Sequence, residues 1–129
     1  METKMNFGMW IPTRILFGAS ELQNLHKQKM PGKRALLVIS NGKSIHANGY
    51  LAAAKEQLRL AGVETVIYDG IEANPLKSSV MAGALSAREH RCDMIVALGG
   101  GSVMDAAKAI ALMAANAGDL WDYVSGGTG

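Results

Sequence analysis

Five apolar residues in a row, Ala35-Leu36-Leu37-Val38-Ile39, constrain the fold of this chain more than any other feature. A run that short and that uniformly apolar suits a strand covered on both faces, and such a strand needs helices on either side of its sheet. Met94-Ile95-Val96-Ala97-Leu98 repeats the pattern, and Val63 to Tyr68 reads as a further strand between them. The intervening stretches switch to helical spacing. A helix from about Tyr50 to Ala61 places Leu51, Ala54, Leu58 and Ala61 on one stripe, with Gly62 as its stop. Another, from about Leu76 to Glu89, turns Val80, Met81, Ala84 and Leu85 inward. A last one follows Gly99-Gly100-Gly101 directly, from about Ser102 to Ala117. Asn41-Gly42 and Asp69-Gly70 end strands, and Asn74-Pro75 marks a loop. This alternation predicts an α/β fold: a Rossmann-like parallel sheet with flanking helices, joined by right-handed crossovers.

The start of the chain reads differently. Residues 5–18 alternate apolar and polar groups around Pro12-Thr13, with Phe7, Met9 and Ile11 before the break and Ile15 and Phe17 after it. That pattern predicts a short N-terminal β-hairpin ending at Gly18. Ser20 and Gln23 have capping-box spacing, so a short helix burying Leu22 and Leu25 is expected before Pro31. With 129 residues, 49% of them hydrophobic and 19% charged, the chain has the make-up of one folded domain rather than a disordered segment. The net charge of +2 comes without a Lys/Arg block, so neither nucleic acid nor a membrane surface is an expected partner. The single cysteine, Cys92, excludes an internal disulfide and fits a reducing, cytoplasmic setting. Just before a strand, it reads as a small core residue. The N-terminus lacks the apolar stretch of a signal peptide, and no apolar run approaches the ~18 residues of a membrane span.

From Val103 to Ala117 only Asp105, Lys108 and Asn116 are polar. A helix so apolar on nearly all sides is expected to be covered, by the remainder of a longer chain or by a partner subunit. Its N-terminus carries the chemistry. Gly99-Gly100-Gly101-Ser102 joins the C-terminal end of a strand to the first turn of this helix, where parallel sheets bind ligands. The first helical amides have no partner within the helix, the positive end of the helix dipole stands behind them, and glycine removes the Cβ atoms that would keep an anion away. A phosphate or diphosphate suits such a turn, and Ser102 could add a hydroxyl. Two alternatives need no ligand: glycine as a requirement of the turn, and Ser102 with Asp105 as a capping box. The segment is not the dinucleotide fingerprint Gly-x-Gly-x-x-Gly, since Met104 stands at its last position. Asp105, an anion, suits a place one turn away from any phosphate.

The stretch Gly99-Gly100-Gly101-Ser102-Val103-Met104-Asp105-Ala106-Ala107-Lys108 resembles the GGGSxxDxAK motif of iron-dependent (group III) alcohol dehydrogenases. Thr13 to Gly18 is similar to that family's opening strand, and Tyr68 to Pro75 to its second-strand loop ending in Asn-Pro. Leu120-Trp121-Asp122-Tyr123 with Gly126 to Gly129 is similar to the segment after its glycine-turn helix. The resemblance implies that residues 1–129 are the NAD(P)-binding N-terminal domain, and that the C-terminal helical domain with the Asp and His ligands of the Fe2+ (or other divalent metal) lies outside this chain. It implies hydride transfer between NAD or NADP and a small-molecule alcohol/aldehyde pair by the full-length enzyme, with a homo-oligomer expected and no catalytic residue or metal site on this chain. By position, Gly99, Gly100, Gly101 and Ser102 would hold the diphosphate, Asn74 would lie near the cofactor, and Asp105 would face its nicotinamide end.

Family members that prefer NAD often carry Asp in the turn after the first parallel strand. Here that turn reads Ser40-Asn41-Gly42-Lys43-Ser44. Asn41, Gly42 and Lys43 are thus further cofactor-binding candidates, NADP should be tolerated, and Lys43 could pair with its extra phosphate. His26, His46 and His90 are far apart and read as solvated surface residues. The alternatives are a dehydroquinate synthase-like enzyme fragment and a non-enzymatic nucleotide-binding or oligomerisation module.

Overall fold

The structure is a computed structural model, and it describes residues 6–123. Three parallel strands form one sheet in the order β2-β1-β3, with β1 at Arg34–Ser40, β2 at Glu64–Ile71 and β3 at Met94–Ala97. The helices are α1 (Ser44–Ala47), α2 (Tyr50–Leu60), α3 (Lys77–Glu89) and α4 (Gly101–Ala115). Two 3-10 turns, Glu21–Lys27 and Leu120–Tyr123, flank them.

β1 is central because its apolar run has no polar face to offer water. Ala35 to Ile39 are all fully buried. Side chains alternate across a strand, so the run supplies two cores. Leu36 and Val38 meet Val80, Ala84, Ala87 and the α4 residues Val103, Ala106, Ala107, Ile110 and Met113. On the other face Ala35 meets Leu58 and Val63, and Leu37 and Ile39 meet Ile45. Helices on both faces of a parallel sheet are what a doubly apolar strand requires. No helix among the described residues is long and apolar enough to cross a membrane.

Several expectations need correction. The predicted N-terminal hairpin does not form among the described residues: residues 6–17 form no strand, and Phe7, Met9, Ile11, Ile15 and Phe17 are all exposed. An alternating pattern makes a strand only when another strand takes its hydrogen bonds, and a lone two-stranded hairpin is marginal in water. Residues 21–27 form a 3-10 turn rather than a capped α-helix. Ser20 sits at φ 63° and makes no side-chain cap, and Leu22 and Leu25 are half-buried. β2 does not end at Asp69-Gly70. It continues to Ile71, with a register irregularity opposite Val38 to Ser40, because Ile71 is fully buried against the α3–α4 core. On α3, Leu85 points outward, and Gly83 and Ala87 take the inner face with Val80 and Ala84. Cys92 is half-buried against the same core, and burial raises its thiol pKa.

One face of α4 is buried, whereas Met104 and Leu112 on its other face are exposed. The last carbonyls of α4 are capped from outside the helix. The Arg88 guanidinium donates to the carbonyls of Met113, Ala114 and Asn116, placing a cation where the helix dipole is negative. The chain then folds back so that Asp119 reaches Lys77 at 2.6 Å. Leu120 and Tyr123 pack on the α3–α4 core. Residues 1–5 and 124–129, which include part of the hairpin and the Gly126 to Gly129 stretch, lie outside the described residues.

Candidate functional site

Parallel strands end together, so the turns after β1, β2 and β3 share one edge of the sheet. The chain leaves β1 for a neighbour on one side and later returns to the other side. The turns after β1 and β3 therefore diverge, which is the crevice where open α/β sheets bind ligands. The Leu98 amide donates to the Val38 carbonyl at 3.0 Å, and the Asn41 amide to the Ile71 carbonyl at 2.9 Å. These two bonds hold all three turns side by side.

The glycines after β3 differ from one another. Gly99 has φ 153°, and a Cβ there would lie 2.9 Å from Val103 Cγ2, so the turn itself requires glycine. At Gly100 and Gly101 a Cβ would meet nothing within 4 Å. Both are exposed, and neither has a left-handed φ. Gly100 is the N-cap of α4 in an extended conformation, and its carbonyl accepts the Met104 amide at 3.0 Å. The amides of the first helical turn thus lie beneath an open, side-chain-free surface.

The alternative reading of Ser102 and Asp105 as a capping box does not hold, because the N-cap of α4 is Gly100, two residues earlier, and Ser102 lies inside the helix. Instead, the Ser102 hydroxyl donates to the Ala73 carbonyl at 3.0 Å, tying the glycine turn to the loop after β2. Asn74 is exposed in that loop, next to this contact. Asp105 is exposed on α4, 3.9 Å from Lys108. Across the crevice Asn41 and Lys43 are exposed and Gly42 is half-buried. Lys43 is the N-cap residue of α1, a short helix that sequence reasoning missed because its single turn carries one buried side chain, Ile45.

Sequence reasoning also missed a polar brace below the loop. Ser79 on α3 is buried, and its hydroxyl donates to the Glu72 carboxylate, 2.7 and 2.8 Å from its two oxygens. That bond, with the Glu72 and Leu76 amides, holds the Glu72 carboxyl below its ordinary pKa. The Tyr68 hydroxyl donates to the Ser79 carbonyl. Burial, followed by the Glu72 and Asp69 charges, pushes the Tyr68 pKa up and keeps it a donor. A serine in the first turn of a helix, seven residues after a carboxylate, was the available signal.

No group of three or more His, Cys, Asp or Glu side chains among the described residues is placed to hold a metal ion. His26 Nδ1 lies 2.7 Å from Gln57 Oε1, His90 Nδ1 lies 2.9 Å from the Ser86 carbonyl, and His46 is exposed. A groove beside α2 and the start of β2 is lined by Lys55, Glu56, Arg59 and Glu64, and Arg59 pairs with Glu56 at 2.7 Å. It offers no preference for either sign and lies away from the three turns.

The sequence profile of the family described as iron-containing alcohol dehydrogenase matches residues 12–129. The chain is 38% identical over 120 residues to a probable NADH-dependent butanol dehydrogenase of Bacillus subtilis, covering 93% of this chain and 31% of that protein. Among solved structures it is similar to an archaeal halo-thermophilic alcohol dehydrogenase from a Red Sea brine pool, at TM-score 0.83 and 39% identity over 95% of this chain and 32% of the other. It is also similar to an NADH-dependent butanol dehydrogenase of Thermotoga maritima, at TM-score 0.83 and 32% identity over 91% of this chain and 30% of the other. The chain thus spans about 31% of the length of the curated relatives it matches. On this profile match and these likenesses, the chain belongs to the iron-containing alcohol dehydrogenase family.

Proposed function

We propose that residues 1–129 are the dinucleotide-binding part of an iron-dependent alcohol dehydrogenase or aldehyde reductase. The observation that carries this reading is the contrast among the glycines. Packing explains Gly99, but nothing among the described residues explains the missing side chains at Gly100 and Gly101. A ligand that rests on the backbone there would explain both. The amides of Gly101, Ser102 and Val103 donate to the diphosphate, with the α4 dipole behind them. Ser102 supports the turn through Ala73 rather than donating to the ligand. Asn74 lies beside this contact and meets the cofactor from the β2 side. Asp105 lies one turn along α4, clear of the phosphates and toward the nicotinamide.

Bound NAD(P) supplies or accepts the hydride exchanged with a small alcohol or aldehyde. The described residues offer no ligand set for the metal, so no step is assigned to it on this chain. Asn41, Gly42 and Lys43 form the adenosine side. With no carboxylate in that turn to repel a 2′-phosphate, the chain accepts NADP as well as NAD. The relatives named above favour the dehydrogenase over a synthase-like or purely structural role. A cytoplasmic setting and a homo-oligomer complete the proposal, and light scattering on the purified chain tests the latter.

Titrating the 129-residue chain with NADPH and NADH, read by nicotinamide fluorescence, tests the central part. Saturable binding of both, with NADPH at least as tight, is the expected result. Binding of neither contradicts the proposal, and a strong preference for NADH contradicts its cofactor half.

A further inference from the structure

We propose that Glu72 and Ser79 are positioning residues for the nucleotide site, setting the height at which the loop after β2 holds the glycine turn. The inference rests on the reading of that turn as the diphosphate site, and a separate set of contacts carries it.

The Ser79 hydroxyl bridges both oxygens of Glu72, which closes residues 72–79 into a loop. That loop presents the Ala73 carbonyl to the Ser102 hydroxyl. A connected path therefore runs from α3 through Ser79, Glu72 and Ala73 to the first turn of α4. The end of the path at Ser79 is anchored independently. The Tyr68 hydroxyl donates to the Ser79 carbonyl. The Tyr68 ring lies between two glycines that leave room for it. A Cβ at Gly70 would fall 2.6 Å from Tyr68 Oη, and one at Gly83 2.9 Å from Tyr68 Cε1. Ser79 is the buried polar side chain of the core among the described residues. A buried hydroxyl costs free energy unless it is bonded, so its commitment to Glu72 holds the loop in one arrangement.

A brace that only stabilised the fold would change the melting temperature and leave ligand affinity intact. A positioning brace changes affinity at temperatures where every variant is folded. The test uses the 129-residue chain and its S79A, E72Q and S79T variants. It measures NADPH Kd well below each melting temperature, and amide hydrogen exchange at Ala73, Asn74 and residues 101–103. S79A is expected to weaken NADPH about five- to ten-fold and to speed exchange at both Asn74 and Gly101. E72Q, which keeps an acceptor but loses the charge, should fall between S79A and the parent. S79T, which keeps the hydroxyl, should restore both readouts. Parent-like affinity in S79A overturns the inference while leaving the diphosphate site standing. Weakened affinity with unchanged exchange overturns it too, because the effect would not run through the loop. A parent chain that ignores NADPH overturns the nucleotide reading instead. Exchange at Gly101 in S79A then still decides whether the brace holds the turn.

Discussion

The two edges of the sheet treat the same backbone groups in opposite ways. At the edge where the strands begin, polar main-chain groups are satisfied from within. The Asp93 carboxylate accepts the Lys33 amide at 2.9 Å and the Arg34 amide at 2.8 Å. Gly32 packs so closely that a Cβ there would fall 2.3 Å from Asp93 Oδ1. Arg34 donates to Glu64 and to the His90 carbonyl, and Arg88 caps the end of α4. At the edge where the strands end, the first-turn amides of α4 lie under two glycines with open space above them. One edge is closed by the chain's own charges, and the other is left for something else to close. Stability and binding should therefore separate cleanly between them.

The largest expected effect sharpens that separation. G100V or G101V puts a side chain into the open space without touching packed atoms. It should weaken dinucleotide binding roughly 100-fold, the equivalent of about two hydrogen bonds to a charged group, while the melting temperature stays near that of the parent. Calorimetric titration beside a thermal melt reads both. G32A should do the reverse. Its methyl group collides with Asp93, so a chemical denaturation midpoint should fall by the equivalent of about 1–3 kcal/mol, with NADPH affinity intact below the melt. A variant at either edge that moves both quantities equally would break the comparison.

An acid titration probes the closed edge more gently. The Arg34 and Lys33 amides, in that order, hold the Asp93 carboxyl below its ordinary pKa. A depressed carboxyl contributes stability that is present above its unfolded-state pKa and lost as pH falls through its folded one. Stability should thus decline on the acid side of the ordinary carboxylate range, and D93N should be less stable at neutral pH and flatten that decline. The smallest effect concerns the turn after β1. K43A should weaken NADPH about three- to ten-fold and leave NADH unchanged, as expected for one exposed cation facing a phosphate. Equal loss for both nucleotides would place Lys43 elsewhere.

What was legible in the sequence follows from how local its cause is. The run Ala35 to Ile39 can satisfy its side chains only by burial on both faces, so β1 and the layered sheet could be read directly. The glycine turn could be read because a strand end, a helix start and missing side chains fall on adjacent residues. The failures share one reason: each depended on a partner distant in sequence. Phe7 to Phe17 alternate like a strand, yet no strand among the described residues pairs with them. Ser102 had the spacing of a cap, and its hydroxyl went instead to Ala73, 29 residues away. Leu85 followed the helical stripe, and the space beneath α3 favoured Gly83 instead, where Ile110 and Tyr68 leave no room for a Cβ.

Amide chemical shifts during an NADPH titration of the 15N-labelled chain test the two-edge account most directly. Shifts concentrated at residues 99–103, 41–43 and 73–74, with Lys33, Arg34 and Asp93 unmoved, are the predicted result. Shifts centred on the Asp93 edge, or none at the glycine turn at saturating nucleotide, would contradict it.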